Sequence, residues 1–325
     1  MNIAFFCRHF TERGTEVSTY NYAKYNEEIL GNKSYIICFS PKKQREINFP
    51  LTRMSYSKFK ERFEILEIDD ISDMKYIITN KSLTHFYTQS HGLEDIYQFN
   101  NNTIWGNCKT IYHCVFHHSH PQSDIYCSIS NYLNTKNNTN LPVISYMTET
   151  INYTENLRKK LNISENAIVI GRHGGNTTFD IKYVHDCIVN IMGTHENIYF
   201  LFMNTDKFYE HKRIIYLDKT IDDDEKQKFI NTCDVMIHAR SEGETFGAAV
   251  AEFSVSNKPV ITCNCGDLEH IRILGDKGIV YNNKEEITHI FNNIETLIKS
   301  RSDWNAYKNY SPEKVMKKFK EICLV

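Results

Sequence analysis

Several features that would place a protein in a specialised class are missing from these 325 residues. Neither charge is in excess, since the formal net charge is −2 and the sequence pI is about 6.7. Neutralising nucleic-acid phosphates needs a basic excess, so general nucleic-acid binding is disfavoured. The apolar runs are far shorter than the ~20 residues of a membrane-spanning helix. No transmembrane segment is therefore predicted, which leaves peripheral membrane contact open.

Targeting and metal-binding patterns are also missing. The start of the chain, residues 1–7, is a brief apolar run without basic residues, so we expect a first strand there and no signal peptide. The ten cysteines are scattered, many of them in apolar runs, which is typical of reduced core residues in the cytoplasm. Cys263 and Cys265 form the only close pair, and no second pair lies at zinc-site spacing. We expect a cytoplasmic protein without a metal or other cofactor.

Short apolar runs alternate with helical patterns along almost the whole chain, which is typical of parallel α/β sheets. The predicted strands are 2–7, 35–39, 76–78, 85–88, 110–115, 126–129, 143–146, 167–171, 198–203, 214–216, 235–238, 259–262 and 279–281. The predicted helices are 16–30 and 183–192, with further helical faces near 287–298 and 311–325. The segment 40–73 lacks a clean pattern, and no element is predicted there.

The length exceeds the usual size of one hydrophobic core, so two domains are predicted. We place them at 1–147 and 148–308, with a hinge within 146–162 and a final amphipathic helix at 309–325. That helix begins at Ser311-Pro312, an N-cap followed by a proline at the first helical position. Doubly wound domains bind ligands at the carboxyl ends of their strands, so a cleft between the two domains is the expected site.

The most informative stretch runs from 234 to 269. A short buried strand, 235–238, is followed by a turn and then by a helix that starts near Phe246 and Gly247. Glu244 stands before the first turn of this helix, and Glu252 stands two turns into it. The N–H groups at a helix start form an anion site. An anion site flanked by two carboxylates suits a phosphate-linked sugar.

The spacing of these residues is also a family signature. Ser-x-x-Glu-x-Phe-Gly-x-x-x-x-Glu, from Ser241 to Glu252, resembles the acidic motif of retaining glycosyltransferases of family 4. The resemblance covers most of 141–325 well and the first half loosely. It implies the GT-B fold, with two Rossmann-like doubly wound domains of the α/β class facing across a cleft. It also implies that the second domain holds the donor and that the final helix returns to the first domain.

The resemblance implies roles for residues of the second half. Glu244 would bind hydroxyls of the donor sugar, helped by Thr245 and the N–H groups of Phe246 and Gly247. Glu252 would bind the ribose. Family members keep the anomeric configuration and generally need no metal.

A second motif of the family is a Gly-Arg pair at the end of a strand, with a lysine about five residues later. Gly171-Arg172 matches the pair, and Arg172 would bind the diphosphate. Thr177 stands where the lysine is expected. Either Lys182 replaces it, or His173 and backbone amides take over its role of neutralising the diphosphate charge.

The first half carries two weaker matches. Gly14-Thr15-Glu16 resembles the family's Gly-Gly-x-Glu loop, which closes on donor phosphates and acceptor, with Arg13 in place of the first glycine. His113 begins a histidine-rich segment and matches a histidine at the end of an N-domain strand, which implies a catalytic or positioning group facing the cleft. A metal site and a solvated surface loop are the alternatives for this segment.

Two acidic runs, 69–73 and 222–224, suggest the metal-binding carboxylates of the glycosyltransferase architecture that differs from GT-B. The second run precedes a helix, where acids favour the N-terminal dipole, and we interpret both as structural.

The hypothesis is a retaining glycosyltransferase that uses a UDP-sugar or GDP-sugar and the hydroxyl group of a glycan, lipid or protein acceptor. A GT-B-fold epimerase or phosphorylase, and a non-catalytic relative that binds a glycan or partner, are the alternatives. The sequence does not indicate which nucleotide, sugar or acceptor is used.

Overall fold

The computed structural model describes residues 1–11, 14–48, 52–95, 97 and 99–324. The chain divides into two compact units: Met1–Met147 with Tyr310–Val325, and Thr148–Asn309. In the described ranges, no helix is both long and apolar enough to cross a bilayer.

The first unit contains a six-stranded parallel sheet in the order β3-β2-β1-β4-β5-β6. Its strands are β1 (Asn2–Phe6), β2 (Lys33–Phe39), β3 (Glu64–Ile68), β4 (His85–Ser90), β5 (Lys109–Cys114) and β6 (Ile125–Ser128). Its helices are α1 (Gly14–Glu28), α2 (Pro41–Glu46), α3 (Arg53–Arg62), α4 (Met74–Lys81), α5 (Asn102–Trp105) and α6 (Asn131–Lys136), with a 3-10 turn at Ile71–Asp73.

The second unit has a six-stranded parallel sheet in the order β14-β12-β10-β7-β8-β9. Its strands are β7 (Ile168–His173), β8 (Ile198–Met203), β9 (Ile214–Leu217), β10 (Val235–His238), β12 (Val260–Cys263) and β14 (Gly278–Tyr281), and β11 (Gly243–Glu244) pairs separately with β13 (Asp267–Leu268). Its helices are α7 (Lys182–Met192), α8 (Asp223–Thr232), α9 (Ala248–Val255), α10 (Glu269–Leu274), α11 (Lys284–Asn292) and α12 (Ile294–Lys299), with a 3-10 turn at Gly275–Lys277.

The last helix, α13 (Pro312–Cys323), groups with the first unit. Its Phe319 ring packs against Tyr22 of α1 and Tyr87 of β4, at centroid distances of 5.3 and 5.6 Å. The amphipathic pattern predicted for this segment is present, because Val315, Met316 and Phe319 are buried, as is Cys323.

The α/β class with two doubly wound parallel sheets is confirmed. Central strands such as β7 and β10 are buried on both faces, which explains their continuous apolar runs. The two strands predicted at 198–203 and 235–238 are found with those bounds. Helix α11 buries Ile287, Ile290 and Phe291 on the predicted face.

Two predicted strands are wrong. Residues 76–78 lie in α4, where Tyr76 is 73% exposed, because the capping box of Asp70 and Asp73 starts a helical turn directly before them. Residues 143–146 form no strand beyond a single bridge between Val143 and Ser128.

The structural interpretation of the acidic runs is confirmed. Asp70 accepts a hydrogen bond from the Ser72 N–H, and Asp222 accepts from the N–H groups of Asp224 and Glu225 at the start of α8.

Candidate functional site

The order in which the chain adds strands to the second sheet reverses between β7 and β10. These strands are neighbours, with Ile170 opposite Val235 and Gly171 opposite Met236. The chain continues from β7 to β8 on one side of this pair and from β10 to β12 on the other side. A crevice forms at the carboxyl edge of such a switch point, and ligands of open α/β sheets bind there. The residues at this edge are therefore the first candidates for a functional site.

Glu244 is carried to this edge by the β11–β13 pair. Gly243 makes the turn possible, since it has φ 65° and an added Cβ would lie 2.2 Å from the Asp267 carbonyl oxygen. Oε1 of Glu244 lies 3.4 Å from Nε2 of His238 and 3.3 Å from Nη1 of Arg240. Burial acts to raise the pKa of Glu244, but His238 and Arg240 outweigh it and hold that pKa below its ordinary value. Glu244 is thus an ionised acceptor at neutral pH.

A buried chain of polar contacts fixes the orientation of the His238 ring. Its Nδ1 lies 3.0 Å from the Thr262 hydroxyl, which lies 2.8 Å from Nε2 of His270. Burial, with the nearby charge of His238 acting in the same direction, lowers the pKa of His270 to about 3. His270 is therefore neutral at neutral pH, and this chain of contacts orients the imidazole that meets Glu244.

Glu252 sits in α9 with a basic side chain close to each of its carboxylate oxygens. Oε1 lies 2.6 Å from Nζ of Lys226, and Oε2 lies 2.9 Å from Nε2 of His173. Burial opposes ionisation, but Lys226 and His173 more than offset it and lower the pKa of Glu252 to about 2. The side chain remains 24% exposed, so a ligand hydroxyl can still reach it.

The start of α9 is shaped by Gly247. Its φ of 82° is in the left-handed region, and an added Cβ would lie 3.0 Å from Cβ of His270. Phe246 before it is buried, and its carbonyl oxygen accepts a 2.8 Å hydrogen bond from the Tyr307 hydroxyl. Thr245 is also buried. The anion site expected at these N–H groups stays a prediction.

Arg172 is buried under the glycine-rich loop that follows β7. Nη1 donates to the Asn204 carbonyl oxygen at 3.1 Å and to the Thr205 hydroxyl at 2.6 Å. Nη2 donates to the Gly175 carbonyl oxygen at 2.7 Å and to the Thr178 hydroxyl at 2.6 Å. These four bonds shape the loop, so the expected bidentate grip on a diphosphate would require breaking some of them.

The two candidates for the missing lysine lie in different settings. Lys182 is the first residue of α7 and is exposed. His173 is stacked on Phe253, with ring centroids 5.6 Å apart, and turns Nε2 toward Glu252. His173 thus lies against the Glu252 carboxylate, whereas Lys182 is exposed to solvent at the helix start.

The predicted loop of the first unit lies at the start of α1. Gly14 is its first helical residue, and an added Cβ would meet no atom of the described residues within 4 Å. Thr15 donates a 2.8 Å hydrogen bond to Glu16, whose side chain is buried. Arg13 lies outside the described residues.

The prediction that His113 faces a cleft is wrong. Its side chain is fully buried, Nδ1 lies 2.7 Å from the Tyr87 hydroxyl, and burial lowers its pKa to about 4. The rings of Tyr22 and Tyr146 pack on either side at 5.9 and 6.3 Å. His113 points to the sheet face that α1 covers, because strand side chains alternate between faces.

The rest of the histidine-rich segment includes one anchored ring, with Nδ1 of His118 2.7 Å from the Thr139 hydroxyl. Across the described ranges, no group of three or more His, Cys, Asp or Glu side chains is placed to hold a metal ion.

Sequence reasoning missed the partners of both carboxylates. His238 and Arg240 stand directly after a predicted buried strand, and that position was the available signal. Lys226 belongs to a different helix from Glu252, 26 residues earlier, and carries no local signal.

Residues 180–314 match the model of the family described as "Glycosyl transferases group 1". No curated protein matches the chain in sequence.

Solved structures resemble the chain over nearly its whole length. A glycosyltransferase from Rickettsia africae is 16% identical, with TM-score 0.72, covering 99% of this chain and 98% of that one. HepE of Anabaena, in complex with UDP-glucose, is 13% identical with TM-score 0.68 and coverage of 99% and 98%. Sucrose-phosphate synthase from Thermosynechococcus elongatus is 11% identical with TM-score 0.67 and coverage of 100% and 96%. At these identities the likeness shows the fold. The chain therefore has the GT-B fold, and its residues 180–314 match the glycosyl transferases group 1 model.

Proposed function

We propose that this protein is a retaining glycosyltransferase that moves a sugar from a nucleoside-diphosphate sugar to a hydroxyl acceptor without a metal. The observation that carries the proposal is the ionised carboxylate of Glu244, held by His238 and Arg240 at the carboxyl edge of β10. It lies within the segment that matches the glycosyl transferases group 1 model. An ionised carboxylate beside a helix start can accept hydroxyl hydrogens of a sugar whose phosphate faces the N–H groups.

The chemistry follows from where charge develops. The bond between the anomeric carbon and the phosphate oxygen breaks, and the acceptor oxygen bonds to the same face of that carbon. The acceptor proton passes to the leaving phosphate. Donors already in place stabilise the negative charge that develops on the diphosphate. The proposed donor-binding residues are Arg172, His173, Lys182, Glu244, Thr245, Phe246, Gly247 and Glu252.

The first unit would choose the acceptor, a glycan, a lipid or a protein, with Gly14, Thr15 and Glu16 as the proposed loop. UDP is the nucleotide to test first, since the solved structures of similar fold include HepE of Anabaena with UDP-glucose and with UDP. GDP-sugars remain in the test. A cytoplasmic location is proposed because all ten cysteines are free thiols and nine of them are buried.

The test starts with binding. UDP, GDP, ADP and their sugars are screened for a rise in melting temperature, because a ligand that binds only the folded state stabilises it. The best donor is then incubated with candidate acceptors, and sugar transfer and anomeric configuration are followed by NMR. Glu244→Gln should abolish transfer while the exposed control Glu295→Gln transfers normally.

Each alternative has its own outcome. Conversion of a nucleotide sugar without any acceptor would favour an epimerase, and a putative UDP-N-acetylglucosamine 2-epimerase from Listeria monocytogenes is among the similar folds. Failure to bind any of the nucleotides would favour a non-catalytic protein. Inversion at the anomeric carbon would overturn the retaining assignment.

A further inference from the structure

The diphosphate of a donor needs a cationic side chain nearby. The two expected residues, Arg172 and Lys182, are poorly placed to bind it. All four Nη hydrogens of Arg172 already have acceptors in the protein. Removing a buried hydrogen bond costs more than forming one gains, so these bonds resist exchange. Lys182 stands on the exposed first position of α7. A cation from another element at the switch point would therefore be better placed to bind the diphosphate.

Arg240 has the right position for this role. It follows β10 by two residues, at the same edge of the sheet where β7 ends. The loop after β7 is fastened to the Arg240 loop through Asp180, whose carboxylate accepts hydrogen bonds from the N–H and hydroxyl of Ser241 at 2.8 and 2.6 Å. The Asp180 N–H in turn donates to the Ala239 carbonyl oxygen at 3.1 Å. Arg240 and the loop shaped by Arg172 thus form one connected surface.

The contacts of Arg240 leave it able to take up an anion. Nη2 lies 2.7 Å from Glu242, whose carboxylate is 77% exposed, and exposed ion pairs of this kind are weak. Nη1 lies 3.3 Å from Glu244, a long contact. Nε is buried without a hydrogen-bonding partner among the residues that the structure describes. An unpartnered buried N–H is costly, and an incoming phosphate oxygen would satisfy it.

Electrostatics point to the same place. Burial lowers the pKa of Arg172 to about 10. The charges of Glu244, Asp180 and Asp206 oppose this shift, and the charge of Arg240 adds to it. The two guanidinium groups thus repel each other beside the glycine-rich loop, and an incoming diphosphate would reduce that repulsion.

We infer that Arg240 binds the diphosphate of the donor in place of the lysine of the family pattern, while Arg172 mainly shapes the loop beside it. The inference rests on the proposed function and names a binding residue for it. Arg240 spans the leaving phosphate and Glu244, so one side chain couples the leaving group to the carboxylate that holds the sugar.

Titration calorimetry of the best nucleoside diphosphate and its monophosphate tests this. Arg240→Met should weaken diphosphate binding about tenfold or more, the effect of losing a charge-assisted hydrogen bond, and leave monophosphate binding nearly unchanged. Arg240→Lys should recover part of the loss. Lys182→Met should weaken diphosphate binding less than Arg240→Met does. The control Arg301→Met, an arginine paired with Asp276, should bind like the wild type.

Glu242→Gln removes the surface partner and keeps the guanidinium, so it should retain diphosphate affinity. Wild-type affinity in Arg240→Met, or an equal loss in Lys182→Met, would overturn the inference while the proposed function stands. Equal losses for monophosphate and diphosphate in an Arg240→Met protein that melts at the wild-type temperature would also overturn it, since Arg240 would then not act on the diphosphate specifically. A wild type that binds no nucleotide defeats the proposed function itself.

Discussion

Nε2 of His173 lies 2.9 Å from Oε2 of Glu252, so the last residue of β7 holds a carboxylate of α9. Together with Lys226 it keeps the folded-state pKa of Glu252 at about 2, below the ordinary value of 4.5. Because the folded pKa is depressed, the stabilisation is complete above pH 4.5 and is lost as the pH falls toward 2.

The first prediction follows from this pair. The difference in unfolding free energy between the wild type and Glu252→Gln should shrink by about 2 kcal/mol between about pH 5 and pH 3. Urea unfolding at several pH values measures it. The exposed control Glu295→Gln should show no comparable pH dependence, and a constant difference for Glu252→Gln would contradict the pairing.

The second prediction concerns the left-handed backbone of Gly247. Gly247→Ala should lower the unfolding free energy by about 1–3 kcal/mol, because the added Cβ meets His270 and the φ of 82° is strained for alanine. Chemical denaturation measures this. Gly193→Ala is the matched control, since Gly193 has φ −81° and its Cβ would make an ordinary 3.5 Å contact. Equal stability of the two variants would refute the steric argument.

The third prediction separates stability from activity at Gly14. An alanine there meets no atom within 4 Å in the part of the chain that the structure describes, so Gly14→Ala should melt at the wild-type temperature or slightly above it. If the loop closes on a ligand, turnover should fall on the order of a hundredfold, as for small misplacements of reacting groups. Steady-state kinetics with a thermal melt tests both. Full turnover would remove Gly14 from the proposed site.

The fourth prediction assigns His113 to stability. His113→Phe should lower the unfolding free energy by about 1–3 kcal/mol, because the buried Tyr87 hydroxyl loses the His113 ring as a partner and keeps only the hydrogen bond that it accepts from Gln89 among the described residues. His113→Asn, which can keep an oxygen near the position of Nδ1, should lose less. Both should retain turnover per folded molecule, measured after correcting for the folded fraction. A stable variant that fails to turn over would restore the catalytic role.

Much of the fold could be predicted because buried parallel strands are continuous apolar runs with recognisable ends. The apolar pattern gave a wrong prediction where local capping outweighs composition. Residues 76–78, for example, are a β-prone triplet but lie in α4. It also left 40–73 unassigned, although Ser40-Pro41 at the start of α2 is the same kind of cap that predicted the final helix.

The sequence by itself determined the order of the elements and the two carboxylates on either side of the start of α9, since both depend on local spacing. Only the tertiary structure decided which groups surround them. Strand order brings the end of β7 beside that of β10 and places His173 and Lys226 against Glu252, residues far from it along the chain. It also buries His113, whose place at the end of a strand suggested exposure. Charge state and burial depend on neighbours in space, and the fold alone supplies those.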